Sequence, residues 1–120
     1  WEAREITMYM STPVLAGARL YWMSDKSRGS LFALDASNGR LLWKSEGRLG
    51  ENASVTRFGD RLLVLSTTGE ITIHEPAGEG LREIAKYKVA ETPVWACPAL
   101  GRNRVLVKDL DTLTAWSVGG

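Results

Sequence analysis

A repeat with a period of about 42 residues is the feature that most constrains what this chain can fold into. Trp1 and Trp43 are 42 residues apart, and Gly17, Gly59 and Gly101 are spaced at the same interval. Each of these glycines is closely followed by a basic residue and a short apolar run. The spacing predicts a single domain, residues 1–120, built from similar units at about residues 1–42, 43–84 and 85–120.

The apolar runs within each unit have the pattern of β-strands. The runs after the three glycines predict buried strands, and a polar turn leads from each to a second run. The first set reads RLYWM, RLLVL and RVLV, and the second reads LFAL, ITIH and LTAW. No window carries apolar residues at helical spacing over three turns, so we expect at most one turn of helix.

Each unit accommodates four strands: one before the glycine, one after it, a third, and a fourth that carries the tryptophan. Four-stranded antiparallel units that recur at roughly 40 to 45 residues are typical of β-propeller blades. The sequence therefore predicts an all-β partial propeller of about three blades. The last unit reaches only its third strand, and residues 1–10 are predicted to form a strand of the fourth kind.

The stretch LFALDASNGRLLW, residues 31–43, closely resembles the repeat of the quinoprotein-like, or PQQ-like, β-propellers. That repeat reads roughly aromatic–Ala–Leu–Asp–x–x–x–Gly–x–x–x–Trp. The resemblance is weaker in the second unit and degenerate in the third, where Ala115-Trp116-Ser117 replaces Ala-Leu-Asp. WD40 repeats have a similar length, but their Gly-His and Trp-Asp pairs are absent.

The resemblance implies that the motif tryptophan packs between neighbouring blades, against a small Ala and a turn Gly of the adjacent repeat. Trp1 and Trp43 would then be the docking tryptophans of two units, and Ile84 is the aligned residue of the second unit. Within the same motif, Asp35 is predicted to accept hydrogen bonds from the amides of a tight turn that ends at Asn38-Gly39.

Composition excludes several partners. Fifteen basic and fourteen acidic side chains leave a net charge of +1, so no strongly positive surface is expected for nucleic acid or an anionic membrane. No apolar run approaches the length of a membrane span. The single cysteine, Cys97, excludes an internal disulfide. The chain begins at Trp1 without an initiator Met, and we expect it to be a piece of something longer.

The residues that could carry chemistry are few. A quinoprotein dehydrogenase needs a quinone site, a Ca²⁺ ion held by oxygen ligands and a catalytic Asp, and many also place a pair of vicinal cysteines over the cofactor. Asp109-Leu110-Asp111 could be part of a Ca²⁺ loop, although two carboxylates at this spacing are more often a polar turn. No catalytic, cofactor-binding or metal-binding residue is predicted, and no cofactor.

Four other features have a structural and a functional interpretation, and the structural one is favoured for each. His74 aligns with Leu34 and Trp116 and is expected to fill a blade surface. Cys97 is expected to pack as a small apolar residue on an innermost strand. The insert Lys26–Gly29 is expected to be a solvated turn. Trp95 is expected to fill the central channel, with stacking on a ligand or peptide as the alternative.

Three hypotheses about function follow. The first is a non-enzymatic, protein-binding segment of a bacterial propeller, and the resemblance implies a periplasmic or cell-surface location for it. The second is part of a quinoprotein dehydrogenase whose cofactor residues lie outside this segment. The third is self-association of several copies to close the propeller ring.

Overall fold

The computed structural model of the chain describes residues 1–4, 6–8, 10–47 and 49–118. These residues form three antiparallel sheets, and in each sheet neighbouring strands are also consecutive in the chain. The first sheet contains β1 (Val14–Ala16), β2 (Arg19–Ser24), β3 (Ser30–Asp35) and β4 (Leu41–Lys44). The second contains β5 (Ala53–Phe58), β6 (Arg61–Ser66), β7 (Glu70–Ala77) and β8 (Gly80–Lys88). The third contains β9 (Ala99–Leu100), β10 (Arg104–Lys108) and β11 (Leu113–Ser117).

The only helix in the described part of the chain is one turn, α1 (Lys26–Gly29), between β2 and β3. The prediction of at most one helical turn is therefore confirmed. This turn is the insert that distinguishes the first unit from the second, where the shorter stretch Thr67–Gly69 connects β6 to β7.

The cores between the sheets explain why the second strands read as continuous apolar runs. Side chains of β6 alternate between its two faces. Leu62 and Val64 pack with Tyr21 and Met23 of the first sheet, whereas Leu63 and Leu65 pack with the third sheet. A strand that is buried on both faces has no position left for a polar side chain, which is why RLLVL lacks the alternation of a half-exposed strand.

The pairing register identifies equivalent positions in the sheets. Leu34, His74 and Trp116 pair with Leu20, Leu62 and Val105, respectively, in the preceding strand. The predicted alignment of these three residues is confirmed.

The first and second sheets carry the same irregularity between their third and fourth strands. In the first sheet Ala33 pairs with Trp43 and Leu34 with Leu41; in the second Ile73 pairs with Ala85 and His74 with Glu83. One residue of the fourth strand is thus extra in each sheet, as in a β-bulge. The position equivalent to Trp43 is therefore Ala85, and the alignment of Ile84 with Trp43 was wrong by one residue.

The two tryptophans of the motif pack on glycines, Trp43 on the first residue of β8 and Trp1 on the β3–β4 turn. A Cβ added to Gly80 would lie 2.3 Å from the Trp43 ring, and one added to Gly39 would lie 2.3 Å from the Trp1 ring. The Trp1 indole N–H also donates to the carbonyl of Ala36 at 2.9 Å. The predicted glycine contact is confirmed for both tryptophans. Trp43 lies between two sheets as predicted, whereas Trp1 is 63% exposed and lies on the β3–β4 turn of the first sheet.

The N-terminal segment does not form the strand that was predicted for residues 1–10. None of its described residues belongs to a strand. Instead, Trp1 packs on the β3–β4 turn, and Ile6 packs on Trp22, Phe32 and Leu34. The segment therefore covers the face of the first sheet that points away from the second.

The β3–β4 turn matches its sequence prediction in detail. Asp35 accepts hydrogen bonds from the backbone N–H and the hydroxyl of Ser37, at 2.8 and 2.6 Å. These bonds and the positive charge of Arg40 lower the pKa of the Asp35 carboxyl. Gly39 has a φ of 74°, a conformation that favours glycine.

Candidate functional site

A pocket of about 600 Å³ lies where three chain segments lead into the first strands of the sheets. We call it the mouth pocket; it is lined by Met10, Asp25, Arg28, Gly50, Glu51 and Trp95. Met10, Gly50–Glu51 and Trp95 precede β1, β5 and β9, and Asp25 and Arg28 belong to the β2–β3 connection. The pocket is therefore built from loops, the segments that most often carry binding residues on a rigid scaffold.

Close backbone contacts between glycine and neighbouring loops hold this end of the molecule in place. Gly29 has a φ of 82°, and a Cβ added to it would lie 2.5 Å from the carbonyl oxygen of Gly50. The carbonyl of Gly29 accepts a hydrogen bond from the Leu49 N–H at 3.1 Å. Because no other residue fits at this distance, Gly29 fixes the insert against the segment that leads into β5.

The second sheet repeats this arrangement with different residues. Gly69, also at a φ of 82°, would place a Cβ 2.4 Å from the carbonyl oxygen of Ala90, and its own carbonyl accepts the Val89 N–H at 2.9 Å. The sequence marks both glycines as the first residues of GSLFALDA and GEITIHEP, but their close contacts were not predicted. The signal for them is the glycine that recurs after the second strand.

Arg28 adopts the left-handed conformation with a φ of 64°, as no other non-glycine residue in the described part of the chain does. For a residue with a side chain this conformation costs roughly 1–2 kcal/mol. The connection pairs this arginine with Gly29, and the fixed position of Gly29 leaves the arginine little freedom to relax. The insert thus places Arg28 in the lining of the mouth pocket.

Trp95 and Met10 expose apolar surface beside this charged group. Trp95 is 45% exposed and Met10 is 52% exposed. A channel-filling role was favoured for Trp95, and a solvated turn was favoured for the insert that contains Arg28. The structure places Trp95 and Arg28 in the lining of one pocket, which the sequence did not indicate because the two residues are 67 positions apart.

His74 lies in the contact between the first and second sheets. Only 7% of its surface is exposed, and its Nε2 lies 2.8 Å from the Thr72 hydroxyl. It shares a small cavity with Trp43 and Glu83. Burial lowers the pKa of the imidazole, and the negative charge of Glu83 opposes that shift. The prediction that His74 fills a blade surface is confirmed.

Cys97 differs from its prediction. It is exposed and lies before β9, outside the strands. The prediction that it packs on an innermost strand was wrong, because β9 is only two residues long and begins at Ala99.

Asp109-Leu110-Asp111 forms the polar turn between β10 and β11. Asp109 accepts hydrogen bonds from the backbone N–H groups of Asp111 and Thr112, at 2.9 and 2.7 Å. These bonds, that of Thr112 most of all, lower the pKa of Asp109 to about 2. The carboxylate thus stabilises its own turn.

A second, larger space of about 860 Å³ separates the second and third sheets. Its wall includes Ile73 and Ala85 of the second sheet and Trp116 of the third. Ala85 stands where the first sheet has Trp43, and Trp116 stands where the first sheet has Leu34. The bulky ring at this contact is therefore supplied by the third sheet, and it remains 41% exposed.

The described residues contain neither a metal-binding cluster nor a membrane-spanning helix. Within residues 1–4, 6–8, 10–47 and 49–118, no three His, Cys, Asp or Glu side chains lie together as a metal site would require. No helix in the same part of the chain has the length and apolar character of a membrane span.

The fold is similar to that of known β-propellers. A computationally designed protein, Ika8, matches with a TM-score of 0.65 and 15% identity over 90% of this chain and 32% of that chain. A europium-containing methanol dehydrogenase matches with a TM-score of 0.62 and 16% identity over 88% of this chain and 22% of that one. BamB from Moraxella catarrhalis matches with a TM-score of 0.57 and 14% identity over 89% and 42%.

These likenesses concern the fold alone, and the chain spans less than half the length of each of the three proteins. They confirm the prediction of an all-β chain of antiparallel propeller blades. A search of curated proteins finds no match. A family model described as outer membrane protein assembly factor BamB matches residues 1–88. Because this match covers well over half of the sequence, the chain belongs to the BamB-like family of PQQ-like β-propellers.

Proposed function

We propose that this chain is a non-enzymatic, protein-binding segment of a BamB-like propeller and that the mouth pocket is its binding site. The observation that carries the proposal is the exposure of Trp95 and Met10 in the lining of one pocket, beside an insert that the close contact of Gly29 with Gly50 holds in place. Exposed aromatic side chains on a rigid frame lose little conformational entropy when they bind, which is why such residues dominate protein interfaces.

Family membership supports the same proposal. The matching family model is described as an outer membrane protein assembly factor, a name that denotes work on other proteins. We infer a periplasmic or cell-surface location on the same basis. Nucleic acid is not proposed as a partner, because the net charge of the chain is only +1.

A quinoprotein dehydrogenase segment is the second candidate, and the observation that favours it is the structural likeness to a methanol dehydrogenase. An exposed indole such as that of Trp95 can stack on a planar ring as well as on a peptide. The two candidates differ in the chemistry that they require, because the second needs residues for a quinone and Ca²⁺ from outside this segment.

Two measurements separate the candidates. We expect a library of random peptides displayed on phage to yield sequences that bind the immobilised chain and lose binding to the Trp95→Ala variant. Trp22→Phe serves as a matched aromatic control, because Trp22 is buried and stacks on Phe32. Selected peptides that bind wild type and Trp95→Ala equally would remove the mouth pocket from the proposal.

Titration with pyrroloquinoline quinone and Ca²⁺ is the second measurement. For a protein-binding segment, we expect the absorbance spectrum of the quinone to remain that of the free compound. Saturable binding with a perturbed spectrum would favour the dehydrogenase segment instead.

A further inference from the structure

The charges of the mouth pocket specify the kind of segment that it accepts. Its wall carries two carboxylates, Asp25 and Glu51, and one guanidinium, that of Arg28. The structure describes no ion pair within 4 Å between Arg28 and either acid among its described residues. These three side chains therefore sum to a net negative charge, and no described residue forms an ion pair with Asp25 or Glu51.

An aromatic face lies beside these carboxylates. Trp95 lines the same pocket and is 45% exposed. A cation placed over an indole face is attracted by the negative charge of the ring face. Carboxylates nearby add charge-assisted hydrogen bonds to the same cation. An anion in this position would be attracted by the positive charge of Arg28 but repelled by the two carboxylates.

We propose that the mouth pocket binds an arginine side chain presented by an extended segment of a partner protein. The planar guanidinium stacks on Trp95 and donates to Asp25 and Glu51, two interactions that a lysine ammonium cannot make in the same plane. Met10 supplies an adaptable apolar surface for the methylene groups of the arginine or for the neighbouring residue. This inference rests on the proposed protein-binding function and names the chemistry of its partner.

Arg28 has a different role in this proposal. Arg28 belongs to the pocket lining and has a strained backbone, and its positive charge repels a second cation. The pocket is thereby limited to segments with a single arginine at this position and with neutral or acidic neighbours.

The same peptide selection tests the inference through the composition of the enriched sequences. We expect arginine to be enriched at one fixed position and flanked by apolar or acidic residues. For a synthetic peptide of the consensus, Asp25→Asn and Glu51→Gln should each weaken binding by about tenfold, and by less at high salt. Glu79→Gln is the matched control, because Glu79 is exposed in the β7–β8 turn at the other end of the sheet. Its affinity should equal that of the wild type.

Three outcomes would overturn the inference. If the enriched peptides are acidic and lose binding to Arg28→Gln, the pocket selects anions. If peptides with arginine bind Asp25→Asn and Glu51→Gln as tightly as wild type, the cation binds elsewhere. Both results leave the protein-binding function intact, provided that Trp95→Ala still reduces binding. If no peptide is enriched at all, the proposed function and the inference fail together.

Discussion

Trp43 adds a ring-on-glycine contact to the apolar core that joins the first sheet to the second. Trp43 extends from β4 onto Gly80, the first residue of β8, at a distance that leaves no room for a Cβ. Trp1 makes the same kind of contact with Gly39, so the pair of large ring and bare glycine occurs twice in the described chain. Both residues of each pair contribute to the stabilisation, because the ring can lie this close to the backbone only where the residue beneath it is glycine.

Substitution of either partner should therefore destabilise the fold. Trp43→Ala is expected to lower the free energy of unfolding by about 3 kcal/mol, the lower end for such changes because Trp43 is only partly buried. Gly80→Ala should cost roughly 1–3 kcal/mol, because the added methyl group overlaps the ring. In the Trp43→Ala background the same Gly80 substitution should be nearly neutral. Urea denaturation of the four proteins gives the coupling, and strictly additive losses would contradict the docking contact.

The lowered pKa of His74 predicts how the free energy of unfolding depends on pH. Its pKa is lowered in the folded state from the usual 6.5, first by burial, with Glu83 opposing. The unfolded chain therefore binds a proton more readily, so stability is greatest above about pH 6.5 and falls as the pH decreases toward the folded-state pKa. The charged groups Asp35 and Asp109 titrate at lower pH, because their pKa values are also lowered from 3.8.

The measurement is the melting temperature between pH 7.5 and pH 5. We expect a steady fall for wild type and a flatter profile for His74→Leu, which places in the second sheet the residue that the first sheet has at the same register. Glu83→Gln should steepen the fall, because it removes the charge that favours the protonated ring. Equal slopes in wild type and His74→Leu would assign the pH dependence to another group.

The turn between the second and third strands is the element that holds each sheet to the chain that follows it. Gly29 and Gly69 have the same φ and the same close approach to the backbone of the segment after the fourth strand. Together with the buried side chains of Val89, Ala90 and Val94, these two contacts position the segments that follow β4 and β8.

Two alanine substitutions separate the stability cost of the close backbone contact from the cost of the positive φ. Gly59 and Gly69 both have positive φ, at 64° and 82°, but only Gly69 has backbone within 4 Å of an added Cβ. Gly59→Ala should cost about 1 kcal/mol for the conformation alone. Gly69→Ala should cost roughly 1–3 kcal/mol more, because the Ala90 carbonyl must move. Equal losses in thermal denaturation would show that the contact at Gly69 contributes nothing.

At the level of elements, much of the fold could be predicted from the sequence, because a repeated pattern tests each strand more than once. The strands follow from residues that recur at one spacing, and the Asp35 turn follows from its own turn residues. The docking of Trp1 and Trp43 was implied by the resemblance to the PQQ-like repeat. The equivalence of Ala85 with Trp43 agrees with the 42-residue interval between Trp1 and Trp43. It was missed because the paired residues of the third strands, Ala33 and Ile73, are offset by only 40 residues.

The mouth pocket and the position of Cys97 depend on longer-range geometry. Trp95 and Arg28 meet through the stacking of sheets, and no local pattern relates them. Cys97 lies before a strand of only two residues, too short for alternation to reveal where it begins. Single residues of the site could be named from the sequence, but only the structure shows that they line one pocket.

In the whole molecule, successive sheets stack face against face, and each contact surface is different. The first contact contains Trp43 and His74, and the second contains Ala85 and Trp116. The third sheet has three strands among the described residues, and β11 pairs there with β10 alone. An unpaired strand edge is a template for pairing with another chain.

Self-association through this edge is the expectation for the 120-residue chain in solution. Leu113, at the start of β11, is 66% exposed and supplies apolar surface beside the unpaired backbone. Light scattering after size exclusion should give a mass above that of one chain, and the mass should rise with concentration. Leu113→Lys should return it toward the monomer, because a charge on an edge strand opposes pairing. Leu110→Lys, an equally exposed position in the preceding turn, should leave it unchanged. A monomer at every concentration, or equal effects of the two substitutions, would mean that the β11 edge does not pair with a second copy.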